Sequence, residues 1–309
     1  MQLSRTRIGR LIVAVPTLAK NEEPMAAETT PTLRRRQLGA ELRRLREDRG
    51  LTIDDAAAHL DCSSSKISRL ETGTSSQRPR DVEALLDLYQ APADHRTRLL
   101  DITRDVRQPD WWHRYTDAVP RWFERFMAAE TSATTWDCFD AQLVPGLLQT
   151  RDYAFAVMRA ANTALDDTEI DRRVELRMER QNRLTGDDPL TLWAVLDEAV
   201  LRRHVDGPAV MRAQLDHLAA ATRQPNITIQ ILPFVLGAHP ALGFSFKILS
   251  FGGNGSGEVT HVEQLHSGLY LEREADLRRD KLAMNRLRAV ALDPERSLDL
   301  INKAAEDLR

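Results

Sequence analysis

The sequence predicts two domains: an all-α head of five helices over residues 32–107, and an α+β body over 108–309 whose sheet is mainly antiparallel. Three observations lead there. From Leu38 to Val106 apolar residues recur at helical spacing. From Leu190 the period changes, and LTLWAVL, ITIQILP, FSFKILSF and EVTHVEQL read as β-branched or aromatic strands punctuated by Gly and Pro. Between the two regimes, Gln108 to Asp110, with Pro109, forms a hinge. At 309 residues, 42% hydrophobic and 29% charged, the chain has the length for two domains and the composition of a globular protein.

In the head, residues 32–49 are predicted as the first helix, with Leu38, Leu42 and Leu45 on one face. Arg34, Arg35, Arg36, Arg43, Arg44, Arg46 and Arg49 cover the others. The next two helices lie in GLTIDDAAAHLDCSSSKISRLETG, Gly50 to Gly73. Thr52 caps a helix whose third residue is Asp55, close to a reciprocal capping box, and Ile53, Ala56, Ala57 and Leu60 form its inward stripe. Asp61 and Cys62 make the turn. Ser63 caps the third helix, and Ile67 and Leu70, three apart, face the same core. Gly73 stops it by offering a left-handed C-terminal position. With Ile67 and Leu70 turned inward, Ser64, Ser65, Lys66, Ser68 and Arg69 point outward, where hydroxyls and a guanidinium can meet base edges and phosphates. TSSQRPR is a loop that brings Arg78 and Arg80 to the same side. Asp81 to Tyr89 is the fourth helix, and Pro92 opens a fifth carrying Leu99, Ile102 and Val106.

The stretch from Gly50 to Gly73 resembles the helix-turn-helix of the XRE family of bacterial repressors, the fold of the phage lambda and 434 repressors. The likeness runs through Gly50-Leu51-Thr52, Ala57, Ser63, Ile67 to Glu71 and Gly73. It departs at Asp61, where the family usually has Gly, so that turn uses the tolerance of Asp for the left-handed region. The resemblance implies a lambda-repressor-like DNA-binding domain in which Ser64, Ser65 and Arg69 read bases and Lys66 contacts a phosphate. Ser68 lies on the same face, and Arg43, Arg78 and Arg80 flank it as backbone contacts. Ile53 stands where the family often puts a polar phosphate-binding residue. Because one recognition helix touches few base pairs, useful specificity implies a homodimer on half-sites of double-stranded DNA.

The body begins with a dense aromatic run, Trp111, Trp112, Tyr115, Trp122, Phe123 and Phe126, expected to form a packing seam. Arg121 to Thr131 is helical, Trp136 to Phe139 a short strand, and the Pro145-Gly146 turn of LVPGLLQT, 143–150, leads into a helix through Tyr153, Val157 and Met158. Residues 168–184 read as a long helix with Ile170, Val174 and Met178 inward. Its Arg172, Arg173, Arg177, Arg180 and Arg183 are expected on a solvated face, with Glu169 paired to Arg173 and Glu179 to Arg183. A helix at 209–222 separates the first two of the long strands, GGNGSG at 252–257 is a hairpin tip, and 275–292 and 294–307 are closing helices.

This half also resembles a known domain, the uncharacterised C-terminal domain attached to XRE-type heads in regulators from actinobacteria, including the WhiJ-like sporulation regulators. The resemblance rests on Trp111-Trp112, LVPGLLQT, VLDEAVLRR of 195–203, GPAVMRAQLDHL of 207–218, PNITIQILP of 225–233 and GAHPALGFSFKIL of 237–249. It implies an effector for this half, either a small molecule or a small partner protein, as in antitoxin-like regulators. Glu198, His261 and Glu263 are the polar groups expected to line an effector pocket on the sheet.

Charge and motif content narrow the function. From Thr32 to Arg80 eleven basic residues face seven acidic ones (+4), whereas from Pro109 onward 24 face 30 (−6), so a basic head on an acidic body fits DNA contact by one end. The two cysteines fall in different domains and read as free thiols in a reducing, cytoplasmic compartment. No run approaches the ~18 apolar residues of a membrane span. Residues 1–31 read as a disordered extension ahead of the head, the first 24 of them either disordered or an upstream start assignment with Met25 as the start; LIVAV at 11–15 is shorter than the ~7 apolar residues of a signal sequence. The eight histidines show no metal-ligand spacing, and no nucleophile elbow, phosphate-binding loop or Cys-His pair is present. The expectation is a regulator without cofactor, metal or catalytic site. The rival expectation is an interaction protein that sequesters a small partner and binds DNA mainly at its own promoter.

Overall fold

A computed structural model of the chain describes residues 33–73, 75, 77–105, 111–186, 188–252, 257–265 and 267–308. The expected extension at 1–31, the hinge at 108–110, Val106, the side chains of Arg34, Arg35, Arg36 and Ile102, and the 253–256 tip lie outside the described residues. Five helices build the head: α1 (Leu33–Asp48), α2 (Ile53–His59), α3 (Ser64–Glu71), α4 (Pro79–Leu88) and α5 (Ala93–Asp105). Their shared core holds Leu38, Leu42, Ile67, Leu70, Leu85, Leu86 and Leu99, all at or near zero exposure. Arg80, expected in a loop, instead sits in the first turn of α4, because Pro79 starts that helix one residue after Arg78.

The body runs α6 (Arg121–Ser132), β1 (Thr135–Asp140), α7 (Arg151–Ala161), α8 (Asp167–Arg180), β2 (Thr191–Asp197), α9 (Glu198–Arg202), α10 (Gly207–Ala221), β3 (Ile227–Leu232), β4 (Phe246–Ser250), β5 (Glu258–Glu263), β6 (Gly268–Leu271), α11 (Glu274–Val290) and α12 (Pro294–Glu306). One six-stranded sheet carries the order β3-β2-β1-β4-β5-β6. It is mixed rather than mainly antiparallel: β1 pairs β2, and β2 pairs β3, in parallel, while β4, β5 and β6 add antiparallel strands to the other side of β1. The cause is the connections. Helical crossovers, α7 with α8 and then α9 with α10, return the chain to the same end of the sheet, as parallel pairing requires. Only β4-β5-β6 are joined by short turns.

Side chains alternate between the two faces of the sheet. On one face Trp136, Leu192, Leu196, Ile229 and Leu249 pack under α6, α10 and α12; on the other Phe139, Val195, Phe246 and Ile248 pack against Met284 and Leu287 of α11. The aromatic run forms the expected seam. Trp112, Tyr115 and Phe126 are buried, and Trp111 meets Trp112 and Tyr115 edge-on at 5.9 and 6.5 Å. Among the described residues no helix is long and apolar enough to cross a membrane.

Candidate nucleic-acid interface and a cleft in the body

The α2-turn-α3 unit is held by local chemistry and by one buried ion pair. Thr52 and Asp55 form the full capping box, with Asp55 N donating to Thr52 Oγ1 at 3.1 Å and Thr52 N to Asp55 Oδ2 at 2.7 Å. The hydrogen bonds from Thr52 hold the Asp55 carboxyl below its usual pKa. Asp61 takes φ 48° and Gly73 φ 69°, the two left-handed positions that the turn and the helix stop require. Ser63 caps α3 by accepting from Lys66 N at 3.3 Å. At the far end of α3, the Leu70 carbonyl accepts from Gln77 Nε2 at 2.9 Å as well as from Gly73 N at 3.2 Å.

The anchor is Arg46 of α1. Its Nε and Nη2 donate to the two carboxylate oxygens of Glu71 at 2.7 and 2.9 Å, and its Nη1 to the Leu51 carbonyl at 2.7 Å, with both charged side chains buried. The bond to Glu71 outweighs burial and holds the guanidinium above its usual pKa. Beside it, α1 crosses α3 at Gly39, where a Cβ would come within 2.6 Å of the Leu70 carbonyl oxygen and closer still to that of Glu71. A glycine there lets the two helices touch backbone to backbone.

Ile67 and Leu70 point into the core at 0 and 1% exposure, and Ser64, Ser65, Ser68 and Arg69 are exposed with the body in place. Several of the proposed contacts, Ser64, Lys66 and Arg43 among them, are engaged within the protein. The Ser64 hydroxyl donates to Asp54 of α2, which leaves its lone pairs to accept from a base amino group. Lys66 Nζ lies 2.8 Å from Asp81 of α4, so a phosphate would have to compete with that carboxylate. Arg78 and Arg80 are exposed, and Arg43, also exposed, donates to Glu47 at 2.8 Å on its own helix.

The three groups expected to share a pocket on the sheet do not gather. Glu198 caps the 234–236 turn by accepting from Phe234 N at 3.0 Å and bonds Arg202 at 3.2 Å. His261 is fully buried within a row of side chains across the sheet, Cys138, Lys247, His261 and Tyr270. Its ring lies between Phe126 and Tyr270, with centroids 4.6 and 4.8 Å away, and over Gly268, and among the described residues neither ring nitrogen has a hydrogen-bond partner. Burial and then neighbouring Lys247 push its pKa down to about 3. Of the three, Glu263, half exposed, lines a cleft of about 130 Å³ together with Trp122 and Phe123 of α6 and Arg173, Arg177 and Arg180 of α8.

These arginines do not form the solvated face that their spacing suggested. Arg180 donates from Nε and Nη2 to the two oxygens of buried Glu130, 2.7 Å each, and Arg183 Nη2 donates to the Ala133 carbonyl at 2.7 Å. Arg177 Nη1 donates to Gln149 Oε1 at 2.6 Å, while its Nε is buried without a partner among the described residues. Arg173 donates to Asn162 at 3.3 Å. The expected partners are occupied elsewhere: Glu169 closes a capping box with Asp166, and Glu179 accepts from Tyr115 and Arg114. The reason is tertiary, since one side of α8 packs against α7 and the 3-10 turn at Trp111–Tyr115, while Arg172, on the other side, keeps the expected solvated face, with ion pairs to Asp117 and Glu175. Gln149 belongs to LVPGLLQT and is itself fixed, its Nε2 donating to the Val144 carbonyl at 2.7 Å and its carbonyl accepting from Gln181 at 2.7 Å. That segment positions the arginines of the cleft.

Comparison with known proteins divides the chain in the same way. Residues 37–99 match the model of a helix-turn-helix domain. No curated protein and no solved structure matches. Residues 123–303, more than half of the chain, match the domain of unknown function DUF5753, and the protein belongs to that family, with a helix-turn-helix domain ahead of it.

Proposed function

We propose that the protein is a sequence-specific transcriptional regulator of the XRE type that binds double-stranded DNA as a homodimer, and whose body senses an effector and performs no catalysis. The observation that carries this reading is the outward face of α3. Ser65, Ser68 and Arg69 project from a short helix fixed by the Arg46–Glu71 pair and by a backbone contact at Gly39. A rigid helix with exposed hydroxyls and a guanidinium fits the major groove. An electrophoretic shift assay on the preferred operator tests it. Arg69→Ala should lose about 1–3 kcal/mol of discrimination at the base it reads, roughly 5- to 150-fold. Arg78→Ala should weaken binding to all sequences alike and reduce the salt dependence. Unchanged operator affinity in Arg69→Ala would refute the base-reading role.

One observation favours a second reading, that of an antitoxin-like protein that captures a small partner. Phe234, Val235, Leu242 and Phe244 in the β3-β4 connection are more than half exposed, Val235 at 93%. A cluster of exposed apolar groups on one segment is what a protein interface supplies. Pull-down from the native host separates the readings, because a stoichiometric small partner together with few bound genomic sites favours capture.

A further inference from the structure

The cleft beside α8 carries more guanidinium charge than the protein neutralises. Of the groups that line it, Arg180 is spoken for by Glu130, and Glu263 by Lys247 at 3.1 Å. Arg173 and Arg177 remain, one helical turn apart and turned to the same side. Each bonds only a neutral amide, Asn162 and Gln149, and among the described residues neither forms an ion pair with a carboxylate. Burial and then the adjacent Arg180 pull the pKa of Arg177 down to about 10, the mark of a cation held against its surroundings. A buried unpaired charge lowers stability unless a counter-charge arrives. The cleft is also lined by Trp122 and Phe123, in contact edge to face at 5.4 Å, with the Arg180 guanidinium over the Phe123 ring at 5.2 Å. The volume, about 130 Å³, is on the scale of the ~150 Å³ cavities that hold one benzene ring.

We propose that this cleft binds a small aryl anion, a carboxylate or phosphate ester of a single ring, with the anionic group on Arg177 and Arg173 and the ring against Trp122 and Phe123. The site rests on the effector-sensing part of the reading above and gives that effector a chemical class. Arg177 forms the charged end, Gln149 orients it, and the aromatic wall selects a ring over an inorganic ion. Bidentate recognition of carboxylate or phosphate is the task a fixed guanidinium serves best.

The test is calorimetric titration and thermal melting of the full chain with sodium benzoate, phenyl phosphate, neutral benzamide and inorganic phosphate, each up to about 10 mM. The expected result is saturable binding of benzoate or phenyl phosphate, at least tenfold weaker in Arg177→Gln and in Trp122→Ala, with no binding of benzamide. Whichever of the two aryl anions binds tighter identifies the anionic group. Without ligand, Arg177→Gln should melt about 2–4 °C higher, because it removes an uncompensated charge. A purely structural arginine would give a lower melting point. Arg173→Gln, nearer the rim, provides a second variant should Arg177→Gln fold poorly.

The proposal is overturned if neither aryl anion binds, if benzamide or inorganic phosphate binds as tightly, or if both arginine variants keep wild-type affinity. Operator affinity of the wild-type chain with and without benzoate separates this site from the function assigned above. Anion binding with no effect on DNA keeps the cleft and removes its sensing role. DNA binding with no anion binding keeps the regulator and removes the cleft.

Discussion

Glu71→Ala isolates the contact on which the geometry of the DNA-binding face depends. The substitution removes both acceptors of the Arg46 guanidinium, 2.7 and 2.9 Å away, and leaves a cation at 6% exposure with the Leu51 carbonyl and, 3.6 Å off, the half-exposed Glu47 carboxylate. Breaking a buried pair by deleting one member costs about 3–5 kcal/mol, because the other charge stays desolvated and unpaired. For a domain the size of the helical head, that corresponds to a fall of roughly 12–40 °C in its melting temperature. Replacing both members with Met should recover most of the loss, since an apolar pair of similar volume is about neutral. Circular dichroism melting of the full chain measures the stability, and an electrophoretic shift assay measures whether α3 still meets DNA in its docked orientation. The double variant is expected to be stable and weaker on DNA, because apolar side chains do not reproduce the directional bonds that orient α3. A Glu71→Ala protein melting within about 2 °C of the wild type would show that water or another group serves Arg46, and the anchoring role would fall.

Three further outcomes follow from particular contacts. Gly39→Ala forces a methyl group against the Leu70 and Glu71 carbonyls and should cost about 1–3 kcal/mol by overpacking, read as a lower melting point and weaker operator binding; a neutral result would mean α1 and α3 can part freely. His261 is neutral in the folded protein down to about pH 3, whereas an unfolded histidine takes up a proton near pH 6.5, so the unfolded state binds more protons between those values and stability falls with acidification. The loss approaches 1.4 kcal/mol per pH unit below 6.5, and His261→Phe should flatten that limb in a pH series of thermal melts. Glu130→Gln leaves Arg180 buried without its counter-charge and should destabilise the body by an amount similar to Glu71→Ala in the head, while a melt unchanged from wild type would refute the pairing.

The head was largely legible in advance because its signals are local. A capping residue, its reciprocal partner three positions on, an Asp tolerated at positive φ and a Gly stop all act within a turn or two of the chain, and each is found where its residue type requires. What did not show is what crosses between helices. Arg46 and Glu71 are twenty-five residues apart, and nothing in RRLRED or SRLETG marks them as partners; Gly39 reads as a weak spot in a helix until a second helix is laid across it. In the sheet a usable signal was present and misjudged. LTLWAVL is a nearly continuous apolar run, the pattern of a strand covered on both faces in parallel pairing, whereas EVTHVE places Thr260 and His261 between its two valines and is buried through 259–261 without alternation.

The arginines of α8 show why charge was the harder quantity to place. Spacing of four between Glu and Arg predicts a solvated ion-paired face only if the helix has solvent on that side. Here only one side of α8 has solvent: Arg172 keeps exposed ion pairs with Asp117 and Glu175, whereas on the packed side Glu169 is drawn to a cap, Glu179 to Tyr115, and Arg173, Arg177, Arg180 and Arg183 turn to amides, a carbonyl and Glu130. Once Arg180 takes Glu130 and Lys247 takes Glu263, no carboxylate is left for Arg173 or Arg177 among the described residues. LVPGLLQT then acquires a physical role: its Gln149 offers Arg177 a neutral acceptor that directs the guanidinium without cancelling its charge. A carboxylate at that position would neutralise the cleft, so Gln149→Glu is expected to raise the melting point and abolish anion binding together. Stabilisation with full anion affinity would place the ligand charge elsewhere.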